Sequence, residues 1–148
     1  MEFKLLNEED EMILTSFYQN QDVMKMITGD PLSLPAIKRK WQNIMSWDHL
    51  QGYGYYQLKE DDQCIGVGCL KPFQGDVEIG YMVYPQYWHK GYGTMICKFL
   101  MSRIQTMNVK RIVAYIDPQN IASRKILENY GFQILYCHDD EVFLEKRL

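Results

Sequence analysis

Residues 76–107 restrict what this chain can fold into more than any other stretch. "DVEIGYMVY" (76–84) alternates as a strand does and is stopped by Pro85. "PQYWHKGYGT" follows, and then Ile96, Phe99, Leu100, Ile104 and Met107 recur along one face of a helix. A strand therefore feeds a helix through a loop holding Gly91 and Gly93 with one residue between them. Two uses of that pair stay open. The glycines can turn a corner, their commonest task, or they can let successive N–H groups from His89 through Tyr92 to Thr94 close on an anion at the positive end of the helix dipole. In the second use Lys90 adds charge and Thr94 a hydroxyl. The dinucleotide fingerprint would need a third glycine in a first βα unit, and the P-loop would need a lysine that "GYGT" lacks. What remains is a pyrophosphate carried by something other than NAD or ATP.

The flanking sequence supplies the rest of a single α/β domain, residues 1–148. Strand "EFKLL" (2–6) precedes a helix over 8–19 with Asn7 as its N-cap, a short helical piece over 22–27, and a helix over 35–47. "YGYYQLK" (53–59) and "QCIGVGCLK" (63–71) form a hairpin around "EDD". After the amphipathic helix come the apolar strand "KRIVAYI" (110–116), a helix opened by "DPQN" and stopped at Gly131, and two strands around "HDD". One mixed sheet with helices on both faces follows from that order. The net charge of −3 argues against nucleic acid as the main partner. The acidic start "MEFKLLNEEDEM" does not read as a signal peptide, and no apolar run reaches the length of a membrane span. Cys64, Cys69, Cys97 and Cys137 form no CxxC, so the expectation is a cytoplasmic protein with reduced thiols and no membrane partner.

Three clusters invite chemistry. Alternation puts Val77, Ile79 and Tyr81 on one face of their strand and Glu78, Gly80 and Met82 on the other. A carboxylate between apolar neighbours is a candidate base, since burial raises its pKa; a solvated face, or an ion pair with Lys71 or Arg111, explains Glu78 equally well. A bulge would change the facing. Asn120 and Ser123, spaced i, i+3, share one face at the start of their helix, where both types also serve as caps. "HDDE" (138–141) is better explained as a polar turn than as a metal site, and no metal is expected. Tyr53, Tyr55 and Tyr56 are candidates for an acceptor groove or for core.

"YMVYPQYWHKGYGT" together with "DPQNIASRKILENYGF" resembles the GNAT superfamily of acetyl-CoA-dependent N-acetyltransferases. The branch it most resembles includes the ribosomal-protein N-terminal and polyamine acetyltransferases. "DVMKMITG", "GYGYYQLKEDDQCIGVGCL" and "VEIGYMVYP" fit that branch in order, so the likeness spans nearly the whole chain. The resemblance implies a mostly antiparallel, twisted sheet of about seven strands, with strands splayed where the cofactor lies. It implies a pyrophosphate loop at Trp88, His89, Lys90, Gly91, Tyr92 and Gly93, with Trp88 in place of the usual Arg or Gln. It places pantetheine pairing at Met82 and Val83, the CoA sulfur at Ser123, and a cofactor or water contact at Asn120. Leu127 stands where many members carry the tyrosine that protonates the thiolate. The expected activity is acetyl transfer from acetyl-CoA to a primary amine of a small molecule or protein N-terminus, by direct attack in a ternary complex, in a monomer or homodimer. Glu78 is the base expected for that attack, directly or through a water. The missing tyrosine at Leu127 and the lack of an unambiguous base keep a competing class open, a CoA-binding regulatory or interaction module whose catalysis has lapsed; transfer of a longer acyl chain and, last, a nucleotide-binding module are further alternatives.

Overall fold

A computed structural model describes all 148 residues. The alternating stretches form strands β1 (Glu2–Leu5), β2 (Gly54–Glu60), β3 (Gln63–Phe73), β4 (Asp76–Val83), β5 (Arg111–Ile116), β6 (Gln133–Cys137) and β7 (Val142–Arg147). The helices are α1 (Glu11–Tyr18), α2 (Gln21–Lys25), α3 (Leu34–Met45), α4 (Tyr92–Ile104) and α5 (Ile121–Asn129). The helix expected from residue 8 begins instead as a 3-10 turn over Glu8–Asp10. Asn7 and Asp10 cap each other there, and the reciprocal bonds tighten the first turn. Asn20 and Ser33 cap α2 and α3, and Gly131, at φ 92°, ends the turn after α5.

The seven strands lie in one sheet in the order β1-β2-β3-β4-β5-β7-β6. All pairs are antiparallel except β4 with β5. Asp61 and Asp62, with φ 51° and 61°, adopt the two left-handed conformations that a tight hairpin between β2 and β3 requires. Gln74 and Gly75 do the same between β3 and β4.

The feature that matters for function is the parallel seam. β4 and β5 pair only at Val77↔Ile112 and Glu78↔Val113. Beyond that point β4 stays with β3 as far as Gly66↔Val83, while β5 stays with β7 as far as Ile116↔Val142. The sheet is thus split between the carboxyl ends of its two central strands.

Each face carries its own core. Ile96, Cys97, Leu100 and Ile104 of α4 and Leu127 of α5 pack on one side. Leu14, Phe17, Val23, Met24, Ile37, Trp41 and Ile44 cover the other through Tyr55, Val67 and Cys69. Fully burying one such aliphatic or aromatic side chain contributes roughly 1.5–3 kcal/mol. Strand glycines set how closely α4 approaches: a Cβ on Gly68 would stand 2.6 Å from Ile96 Cγ2 and 2.9 Å from Leu100 Cδ1. Cys69 and Cys97 are buried free thiols, Cys64 is half-buried and Cys137 is exposed. No helix is long and apolar enough to cross a membrane.

Candidate active site

The loop before α4 is assembled from main chain. His89 and Gly91 both take left-handed conformations, at φ 61° and 87°. Gly91 is the N-cap of α4 and supplies no side-chain acceptor, and the first helical bond runs from Met95 N–H to Gly91 O. The N–H groups of residues 89–94 consequently have no partner within the protein. The two glycines differ in purpose. A Cβ on Gly91 would meet nothing within 4 Å, so Gly91 both turns the corner and leaves the approach to the amides clear. A Cβ on Gly93 would lie 3.5 Å from Ile126 Cδ1 and 3.6 Å from Tyr81 Cε2, so Gly93 sets the spacing of α4 from α5 and β4. Tyr92 OH donates to Glu60 at 2.8 Å and anchors the loop to β2.

These amides open onto a cavity of about 440 Å³ between α4 and α5. His89, Gly91, Tyr92, Gly93 and Thr94 line it, as do Met82, Val83, Asn120 and Ser123. Lys90 does not; its exposed side chain points elsewhere, and the cation at this cavity is Lys125 of α5. Nothing in the loop's sequence pointed to Lys125.

The splayed strand also refines the expectation for β4. Its register with β3 runs without a shift from Phe73↔Asp76 to Gly66↔Val83, so no bulge intervenes. Tyr84 N–H bonds to Ile65 O across that ladder. By alternation, Met82 turns its main-chain groups toward β3, while Tyr81 and Val83 turn theirs toward the gap. The Val83 carbonyl already accepts from the Trp88 indole at 2.7 Å, which gives the unusual tryptophan of the loop a structural task.

At the start of α5, Asn120 accepts from Ser123 N–H at 3.2 Å, so Asn120 is an N-cap. Asn120 lines the cavity, and its side-chain NH2 has no hydrogen-bond partner within the protein. Ser123 is buried at 8% exposure. Beside it lies the residue that the sequence reading passed over. The Tyr81 hydroxyl is fully buried and lacks a hydrogen-bond partner. Burial drives its pKa up, and the adjacent Ser123 side chain opposes the rise. Leu127, where a tyrosine was missed, is buried core on the same helix. Strand alternation set the facing of Tyr81, opposite Glu78, but carried no sign of its unpaired hydroxyl.

A second cavity of about 300 Å³ opens on the other side of the split. Met26, Ile27, Tyr81, Met82, Asn120 and Ser123 border both, so these residues form the waist between them. Glu78 lines only the second cavity, on the face that alternation assigned. Its carboxyl titrates above the ordinary range because burial penalises the charge; Lys71 and Lys40 pull the other way, and Glu141 adds to the rise. Glu78 forms no ion pair with Lys71 or with Arg111, which is engaged by Asp76 and Glu145. Of the three tyrosines of residues 53–56, only Tyr55 reaches this cavity, where its hydroxyl meets that of Tyr18 at 2.9 Å. His138 and Glu141 close the β6–β7 turn through paired main-chain bonds.

Residues 1–133 match the family model for the acetyltransferase (GNAT) domain. The chain is 26% identical to the uncharacterized N-acetyltransferase p20 of Bacillus licheniformis over 132 residues, which is 84% of this chain and 74% of that protein. The ribosomal-protein-alanine N-acetyltransferase of Brucella melitensis has a similar fold, with a TM-score of 0.77 at 18% identity over the full length of both chains. A GNAT superfamily phosphinothricin acetyltransferase of Sinorhizobium meliloti, solved with acetyl-CoA, is similar at a TM-score of 0.77 and 19% identity, over 99% of this chain and 88% of that one.

Proposed function

The chain belongs to the GNAT acetyltransferase family, and from that premise we propose that it moves an acetyl group from acetyl-CoA to a primary amine by direct attack. The observation that carries this reading is the run of six unpartnered amides, 89–94, five of whose residues line a cavity that leads to the split between β4 and β5. Free amides at a helix N-terminus suit a pyrophosphate, and the largely apolar cavity beyond suits an extended thiol arm. Bound acetyl-CoA supplies the acetyl group as an activated thioester.

The residues divide the remaining work. Tyr81 and Val83 offer main-chain groups to the arm in the gap. Ser123 holds the sulfur end, with Asn120 fixing the start of α5 and offering its amide. Glu78, on the far side of the waist, takes the proton that the amine must lose, and its raised pKa makes it a better proton acceptor than an ordinary carboxylate. The Tyr81 hydroxyl stands behind Ser123 as the proton source for the departing thiolate. This assignment supplies the proton donor that Leu127 cannot, which favours turnover over a lapsed CoA-binding module.

Incubation with acetyl-CoA and a panel of primary amines tests the reading through thiol release. Release that depends on the amine, with no acetylated protein detected by mass in the amine's absence, is expected for direct attack. A stable acetyl-protein would replace direct attack by a two-step route. Tight acetyl-CoA binding without release to any amine would restore the lapsed module.

A further inference from the structure

The second cavity is polarised. Its basic side comes from Lys71 on β3 and Lys40 on α3. Its acidic side comes from Glu78 on β4, Asp117 just after β5, and Asp140 and Glu141 just before β7. Since the strands run β3-β4-β5-β7 across the sheet, charge passes from positive to negative along one direction of the cavity floor. Lys71 stands directly opposite Glu78 in the β3–β4 register, yet neither they nor Lys40 take part in an ion pair. The pairs that do form join Lys38 to Glu11, Arg111 to Asp76 and Glu145, Arg124 to Glu128, and Arg147 to Glu145. Lys40 is half-buried, with its ammonium 5.3 Å from the centre of the Tyr18 ring. Burial and the nearby Lys71 both press its pKa down. Glu78 draws on both lysines but pairs directly with neither, so two ammonium groups held near each other share one carboxylate, an arrangement that a second anion relieves.

We propose that the acceptor is a small amino acid, with its carboxylate held between Lys40 and Lys71 and its amino group on the acidic side at Glu78. The proposal rests on the acetyl-transfer reading above and adds the class of acceptor. The volume of about 300 Å³ fits a free amino acid better than the end of a folded polypeptide. A diamine or polyamine would bring a second ammonium to the lysine side, where like charge opposes it. The polarity also orients the acceptor. With the carboxylate fixed at β3 and α3, the amine lies beside the base and turned toward the waist, where Ser123 and Tyr81 border both cavities.

The test uses matched acceptors: free amino acids, the amines that result from removing their carboxyl group, polyamines, and short peptides with free N-termini. Acetyl-CoA affinity is measured first by calorimetry, and kcat/KM for each acceptor by thiol release. The proposal expects at least one amino acid to exceed its decarboxylated counterpart by about tenfold to a hundredfold, the range for a charge-assisted contact. It expects Lys40→Met and Lys71→Met each to erase most of that preference, chiefly through KM, with acetyl-CoA affinity retained. Equal use of the decarboxylated amines, or preference for polyamines or peptides, would overturn it. Acetyl-CoA binding without transfer to any amino acid would also overturn it and leave the cofactor site standing. Failure to bind acetyl-CoA would bring down the proposed function together with it. The wild-type comparison alone decides the matter if a lysine variant does not fold.

Discussion

The two cavities meet at one waist but are built from different material. The cleft at α4 and α5 presents main chain: six free amides, a glycine at φ 87°, and the edges of a split sheet. The cavity across the split presents side chains: Lys40, Lys71, Glu78 and Glu141, drawn from a helix, two strands and a turn. A main-chain site recognises what all substrates of such a protein share, and tolerates change in the side chains around it. A side-chain site recognises one acceptor and changes with single residues. On the proposed reading, that difference gives the cofactor to the first cavity and the specificity to the second.

Substitutions that damage one side and spare the other test this division. The largest effect is expected from Glu78→Gln, which removes the proposed base. A fall in kcat/KM of about 10²–10³ is expected, with acetyl-CoA affinity unchanged, as read from thiol release and calorimetry. Wild-type activity should rise with pH through the raised pKa of Glu78, and that acid limb should vanish in the variant. Stability should respond in the opposite sense. A carboxyl whose pKa is higher in the folded state binds its proton more tightly there, so Glu78 favours folding at low pH and loses that contribution as pH rises through the raised value. Glu78→Gln should therefore raise the Tm near pH 7, by less than about 4 °C, and leave it unchanged below the ordinary glutamate range.

Next in size is Tyr81→Phe. A loss of about tenfold in kcat is expected, the low end for a proton-transfer group shared with Ser123, while KM for the amine holds. Thermal melting should show little loss of stability, because the removed hydroxyl forms no well-aligned hydrogen bond and only the Ser123 side chain acts on it. An unchanged kcat would leave Ser123 as the sole donor.

Two smaller effects bear on the scaffold rather than on either cavity. Gly68→Ala forces a Cβ against Ile96 and Leu100 of α4, and should cost about 1–3 kcal/mol in chemical denaturation. Asn120→Ala removes the cap of α5 and should cost about 1 kcal/mol; a further drop in kcat would show that the free amide also acts on substrate.

What could be read in the sequence follows the same division. Strand alternation, the cap at Asn7 and the stop at Gly131 are local signals, and each element appeared within a few residues of its expected place. The loop at Gly91 was legible because its chemistry lies in consecutive residues. The facing of Glu78 was legible because β4 carries no bulge. The acceptor cavity was not. Lys40 and Lys71 lie 31 positions apart in the chain and meet only through the packing of α3 on the sheet. The conspicuous aromatic and polar residues around them, Trp41, Trp47, Asp48 and His49, line neither cavity: Trp41 is core and Asp48 caps a short turn. Tyr81 escaped for a different reason. Its importance lies in a hydroxyl that lacks a partner, and no sequence pattern reports an unmade bond.

The most direct test of the central claim is calorimetric titration of acetyl-CoA into the wild type, Gly91→Asn and Gly91→Glu. Asparagine tolerates the left-handed conformation that Gly91 adopts, so it separates backbone strain from charge. Binding by the wild type and by Gly91→Asn, but not by a folded Gly91→Glu, is the result expected if the free amides of residues 89–94 hold the pyrophosphate. Equal binding by Gly91→Glu, or no binding by the folded wild type, would contradict it and leave Gly91 with the single task of turning a corner.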